Sequence, residues 1–128
     1  MLLAVCQELE IEIDEEIVPR IAFGFAGGIG NTGAVCGAVA GGVMAISLKM
    51  KKGDTMADSL RVLGVVGEFR RRFEAEMGTI SCRELTGLDL STQQGAEQLM
   101  SSDIPQTACF PAVSVAFDLA VELLKEAS

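Results

Sequence analysis

Residues 24–42 read Gly24-Phe25-Ala26-Gly27-Gly28-Ile29-Gly30-Asn31-Thr32-Gly33-Ala34-Val35-Cys36-Gly37-Ala38-Val39-Ala40-Gly41-Gly42. More than half of the 14 glycines of the chain lie in this stretch, together with one cysteine. A glycine in a helix costs roughly 1 kcal/mol relative to alanine, so a chain keeps glycines where backbones approach closely or turn with positive φ. The stretch is therefore either a tight packing seam or a turn that wraps backbone around something near a sulfur.

This glycine-rich stretch lies inside a longer uncharged region, residues 21–48, which is long enough to cross a bilayer. Residues 27–33 divide that region into two shorter pieces, and turn backbone is not tolerated in lipid. We therefore expect no membrane span, and a buried helix in a water-soluble bundle. Gly33, Gly37 and Gly41 recur every four residues, which predicts a close helix–helix crossing.

Composition indicates one domain of closely packed helices. A chain of 128 residues fits one domain, 1–128, and its 49% hydrophobic content includes no Trp or Tyr. The net charge of −8 excludes nucleic acid as a partner, because phosphate recognition needs a basic surface. No signal peptide is recognisable, so we expect a cytoplasmic protein whose cysteines are kept reduced.

Helical periodicity dominates the chain and predicts an all-α fold, a compact bundle of about five to six helices. Asn31 or Thr32 is predicted to begin a helix that runs to about Lys51. The run Ser81-Cys82-Arg83-Glu84 matches a capping box, with serine as the cap and glutamate three residues later. The last helix is predicted to run from Thr107 to Lys125.

The chain has four cysteines, Cys6, Cys36, Cys82 and Cys109, and no histidine, which excludes Cys–His dyads and histidine-ligated metals. The last three each lie near a predicted helix N-terminus, where the helix dipole stabilises a thiolate. Cys82, next to Arg83, is predicted to be the most acidic thiol. Thiolates from three separate segments could converge as metal ligands or as redox groups. The alternative is that buried cysteines act as small hydrophobic residues.

Several motifs together resemble one family. These are Gly24-Phe25-Ala26-Gly27-Gly28-Ile29-Gly30, then Cys36-Gly37-Ala38-Val39-Ala40-Gly41, then Cys82-Arg83-Glu84-Leu85 with Gly87, and finally Cys109. The pattern resembles the C-GCAxxG-C-C family of small bacterial and archaeal proteins, and the resemblance covers nearly the whole chain. It implies a redox or metal role for the shared cysteines.

The chain departs from the family pattern at its first cysteine. In the family that cysteine opens the first helix, about one turn before the position that Met1 occupies here. Cys6 lies further along and does not match it, so we expect Cys6 to be a core residue. We expect that the start is set too late, or that the chain is a genuine three-cysteine variant.

We therefore hypothesise a redox-active or metal-binding protein that uses the thiolates of Cys36, Cys82 and Cys109, with an iron–sulfur cluster or another thiolate-bound metal as its cofactor. Gly28, Gly30 and Gly37 are the candidate cofactor-contacting glycines. Whether the chain is an enzyme or an accessory electron-transfer protein stays open. Its expected partners are a second copy, forming a homodimer, and an electron-transfer protein. The alternative is a non-catalytic helical oligomerisation module whose glycine seam joins two copies.

Overall fold

The computed structural model describes residues 1–127, and among them it contains seven α-helices. They are α1 (Leu2–Glu8), α2 (Ile17–Ala22), α3 (Gly37–Met50), α4 (Met56–Met77), α5 (Cys82–Thr86), α6 (Gln93–Ser101) and α7 (Phe110–Ala127). A 3₁₀ turn, Phe23–Phe25, and an irregular helical turn, Ala26–Ile29, follow α2, and a π turn, Pro105–Cys109, leads into α7. The predicted all-α fold is confirmed, with slightly more helices than expected.

The core lies between α3, α4 and α7, which pack against one another in all three pairs. Phe69 and Phe73 of α4 are fully buried there, with ring centroids 6.4 Å apart. The Phe69 ring lies directly over Gly42 of α3, because a Cβ atom at Gly42 would fall 2.2 Å from the ring. A glycine at this position therefore lets the largest side chain of the core reach the helix backbone.

The predicted close crossing lies between α3 and α1. A Cβ atom at Gly41 would lie 3.0 Å from Cγ of Met1 and 3.4 Å from the Leu2 nitrogen. At Gly37 the close neighbour is the carbonyl oxygen of Phe25, at 3.3 Å. Residues of the same chain therefore fill the glycine seam, so the seam is not free to join two copies as the alternative hypothesis required.

Helix α3 begins later than the sequence predicted. Gly30, Asn31 and Gly33 all have positive φ, between 62° and 76°, and a right-handed helix cannot pass through such residues. The Thr32 hydroxyl donates to the carbonyls of residues 28 and 29 instead of capping a helix. As a result, Cys36 is the N-cap residue of α3 and does not lie within its first turn.

The last helix begins with a π turn. The Phe110 N–H bonds to the Pro105 carbonyl, five residues earlier. We attribute this wider turn to Pro111, whose ring would clash with the carbonyl of Thr107 in a regular α-helix. Cys109 therefore lies beyond the first turn of a continuous helical segment. The sequence had predicted that Cys109 would lie within the first turn of the last helix.

One helical stretch in the described part of the chain, Pro105–Ala127, is long and apolar enough to cross a membrane by length and composition, with a mean hydropathy of 1.6. The core helix of a water-soluble protein passes the same test, and the inner face of α7 packs in the core here. The uncharged region 21–48, by contrast, is divided among α2, the two turns that follow it, a loop and α3.

Candidate thiol site

The glycine-rich loop is attached to the segment that opens α5. Val35 and Ser81 form an isolated antiparallel bridge, flanked by two backbone hydrogen bonds. The Cys36 N–H donates to the Ile80 carbonyl at 2.7 Å, and the Cys82 N–H donates to the Ala34 carbonyl at 2.8 Å. Two cysteines that are distant in sequence are thus held on adjacent backbone segments.

The bridge also determines which way these cysteines face. Side chains alternate between the two faces of an extended pair, so the residues that flank Val35 and Ser81 share one face. Cys36 and Cys82 are such flanking residues, and they lie diagonally across the bridge. The backbone pairing therefore directs both sulfurs to the same side.

Glycine is required where the loop passes behind Cys82. Gly28 has φ +73°, and a Cβ atom there would lie 2.6 Å from the Ala34 nitrogen and 2.7 Å from Cβ of Cys82. Gly33, with φ +76°, approaches Arg83 in the same way, at 2.9 Å from its Cβ. Any side chain at these two positions would push the loop off α5, so the glycines place Cys36 relative to Cys82.

Cys82 itself begins a well-capped helix. The Ser81 hydroxyl accepts from the Glu84 N–H at 3.2 Å, as the capping-box motif predicts. The Glu84 carboxylate bonds to the Thr79 hydroxyl, and that hydroxyl accepts the Ser81 N–H. The cap is therefore completed through a threonine that the sequence motif does not include.

Cys109, which is distant in sequence from Cys36, lies at the same site as the other two cysteines. The π turn that carries it packs against α5, whose first residue is Cys82. The three cysteines of the family pattern all line one cavity of about 360 Å³. Cys36, Cys82 and Cys109 therefore lie around one cavity, and their roles as redox groups or metal ligands stay predictions.

The fourth cysteine lies elsewhere. Cys6 is 2% exposed and belongs to the hydrophobic core, among residues such as Val5 and Val18. It is not among the residues that line the cavity. The expectation that Cys6 is a core residue is confirmed. All four cysteines are free thiols.

The acidity predicted for Cys82 is wrong in direction. Burial raises the pKa of Cys82, and the charges of Cys36 and Cys109 raise it further. Burial also raises the pKa of Cys109, with a smaller contribution from Cys36. The Arg83 guanidinium, expected to favour the Cys82 thiolate, lies 3.9 Å from the Asp89 carboxylate instead. The effect of burial on the pKa of Cys82 is thus larger than the opposite effect of the dipole of the short helix α5.

Cys36, Cys82 and Cys109 share one cavity. Among residues 1–127, however, no group of three or more histidine, cysteine, aspartate or glutamate side chains is arranged to hold a metal ion. The thiols form a cluster without the arrangement of a preformed metal site.

The three glycines predicted to contact a cofactor have different positions. Gly37 lines the cavity, whereas Gly28 lies behind Cys82 and Gly30 is exposed with no atom within 4 Å of an added Cβ. The sequence did not single out Phe23 and Phe25, which also line the cavity. Both lie on the 3₁₀ turn just before the glycines, and an aromatic pair flanking the first glycine was the available signal.

The fold and this cluster define a class of protein, a small helical protein that gathers thiols from three separate segments at one cavity. The chain belongs to the family described as "Putative redox-active protein (C_GCAxxG_C_C)", whose model matches residues 1–123. No curated protein and no solved structure matches the chain.

Proposed function

We propose that the chain is a thiol redox protein in which Cys36, Cys82 and Cys109 cycle between the dithiol and disulfide states. The observation that carries the proposal is their convergence from three separate segments on one cavity, while Cys6 stays in the core. Membership of a family described as redox-active supports it.

The proposed reaction is a two-electron exchange. Two thiols lose two protons and two electrons and form one S–S bond, and an external acceptor takes up the electrons. With hydrogen peroxide as the acceptor, the two thiols and one peroxide give a disulfide and two waters. The third thiol can then attack the disulfide, since exchange proceeds by attack of a thiolate on a disulfide sulfur.

Oxidation followed by peptide mapping tests this proposal. The reduced protein is treated with one equivalent of hydrogen peroxide, free thiols are alkylated, and disulfide-linked peptides are identified by mass. We expect one disulfide within the set of three cysteines, and its loss when two members are replaced by serine. Cys6→Ser is the matched control and leaves the product unchanged. Disulfides that form only between different molecules contradict the proposal.

The iron–sulfur or other metal centre expected from the sequence stays a prediction. Three thiolates suit such a centre chemically, but their side chains would have to draw closer together to share one ion. Iron, zinc and sulfide analysis of anaerobically purified protein tests it. Stoichiometric metal that is lost from Cys36→Ser but retained in Cys6→Ser would replace the thiol–disulfide cycle with ligation.

Self-association also stays a proposal, and the structure suggests a different surface for it. With the glycine seam filled, the candidate is an apolar stripe on α4 formed by Met56, Leu60 and Leu63, which are 74%, 58% and 63% exposed. They recur at i, i+4 and i+7 and so share one helix face.

A further inference from the structure

The cavity beside the thiols is walled almost entirely by apolar groups. Its lining residues are Met1, Leu2, Pro19, Ala22, Phe23, Phe25, Ala26, Gly27, Cys36, Gly37, Ala38, Gly41, Cys82, Leu85, Thr86, Ala108, Cys109, Ala112 and Val113. None of these side chains is charged. Apart from the thiols, the one polar side chain is that of Thr86.

That hydroxyl is already satisfied. Thr86 donates to the Cys82 carbonyl at 2.9 Å and accepts the Leu88 N–H at 3.2 Å. No buried side-chain nitrogen or oxygen lacks a hydrogen-bond partner in the part of the chain that the structure describes. The side chains around the cavity therefore offer a ligand no ionic partner, and the thiols are the polar groups that remain.

The cavity has an apolar entrance. Phe23 and Val113 both line it, yet 79% of Phe23 and 38% of Val113 remain exposed, so they form part of its mouth. The volume of about 360 Å³ lies in the lower part of the range of small-molecule sites, roughly 300–1,000 Å³. A molecule that enters between these side chains reaches three thiols without passing a charged side chain of the lining.

We infer that this cavity binds an uncharged, apolar small molecule against Cys36, Cys82 and Cys109. The inference rests on the proposed function, because it names the class of molecule that the redox thiols meet. An ionised ligand would lose its hydration inside the cavity and would meet no charged side chain there. The overall charge of −8 adds repulsion for anions.

Two fluorescent probes that share a ring system test the inference. N-phenyl-1-naphthylamine is uncharged, and 1-anilinonaphthalene-8-sulfonate is the same scaffold carrying a sulfonate. We expect the full-length reduced protein to bind the uncharged probe about tenfold or more tightly than the sulfonate. Equal or tighter binding of the sulfonate overturns the inference.

Matched variants show where the probe binds. Ala22→Leu fills part of the cavity and should weaken binding of the uncharged probe at least about fivefold, whereas Ala57→Leu, on the exposed surface of α4, should leave it unchanged. Phe23→Asp replaces an exposed side chain, does not threaten the core, and places a charge at the mouth, so it should weaken binding as well. Binding that only Ala57→Leu alters would place the probe on the exposed surface of α4 and overturn the inference.

Protection of the thiols completes the test. The bound probe should slow alkylation of Cys109 by iodoacetamide in proportion to occupancy. Binding should persist when the three cavity cysteines are replaced by alanine, even though redox activity is then lost. Peroxide-driven disulfide formation in a protein that binds neither probe would refute this inference alone, while probe binding without disulfide formation would refute only the proposed function.

Discussion

Replacing Gly28 by alanine should cost far more stability than replacing Gly30, although both residues lie in the same loop with similar positive φ values of 73° and 64°. A left-handed conformation costs a residue with a Cβ about 1–2 kcal/mol. Both variants incur that cost, and both regain about 0.4–1 kcal/mol because alanine restricts the unfolded chain.

The two positions differ in the space around the added methyl group. At Gly30 no atom lies within 4 Å, so the expected loss is about 1 kcal/mol or less. At Gly28 the methyl group would meet Ala34 at 2.6 Å and Cys82 at 2.7 Å, which adds roughly 1–3 kcal/mol of overpacking. The expected loss at Gly28 is therefore about 1–4 kcal/mol, which exceeds the loss at Gly30 by the overpacking cost.

Urea unfolding of the two variants beside the wild type measures this difference. Gly28→Ala should also weaken the hydrogen bond between Cys82 and Ala34, so peroxide should form the intramolecular disulfide more slowly in this variant. Equal stability losses would show that the loop does not press on Cys82. A large loss at Gly28 with an unchanged rate of disulfide formation would show that the loop stabilises the fold without positioning the thiols.

Three further outcomes follow from the packing, the buried thiols and the exposed stripe. Gly42→Ala should lower the free energy of unfolding by about 1–3 kcal/mol, because the added methyl group would overlap the Phe69 ring. Gly64→Ala, in open space within α4, should raise the free energy of unfolding by roughly 0.5–1 kcal/mol. Urea titration of both variants measures these changes. The contribution of Cys82 to stability should be constant below the ordinary thiol pKa of 9.0, and it should be lost as the pH rises through the raised folded pKa of Cys82, because the folded state holds that proton longer. Cys82→Ala should flatten this alkaline decline, and an equally steep decline in that variant would contradict the assignment. Under the proposal that two copies pair through the α4 stripe, the wild type should have the mass of a dimer by light scattering and Leu60→Lys that of a monomer, and a dimeric mass in both would exclude the stripe as the interface.

Local sequence signals predicted the elements that local interactions create. Helix α5 begins with the Ser81 cap, as the capping box predicted. Helix α4 begins after the Thr55 cap and ends at Gly78, which has φ +86°. Such boundaries depend on a few adjacent residues and can be read directly from the chain.

The start of α3, which the sequence predicted wrongly, depends on a distant residue. Residues 30–35 contain good capping residues, but Gly30, Asn31 and Gly33 have positive φ and Val35 pairs with Ser81, so α3 starts only at Gly37. A pairing between residues 46 positions apart in sequence leaves no local pattern. The convergence of Cys36, Cys82 and Cys109 was predicted from family resemblance together with helix starts, and the bridge that brings the first two together was not predicted.

The same nonlocal packing decides the chemistry that the thiols can support. Placing cysteines at helix starts favours thiolates, but that effect is confined to the first turn and is modest, about 0.3–1 kcal/mol at exposed sites. Burial acts in the opposite direction, and it dominates for Cys82 and Cys109, whose pKa values are raised. A cavity without charged side chains stabilises neutral species, and both the dithiol and the disulfide are neutral. Interconversion of the two leaves no net charge in the cavity, whereas three thiolates would need a bound cation to compensate them. The walls of the cavity therefore favour coupled loss of protons and electrons, with a rate that rises with pH as the thiolate fraction grows.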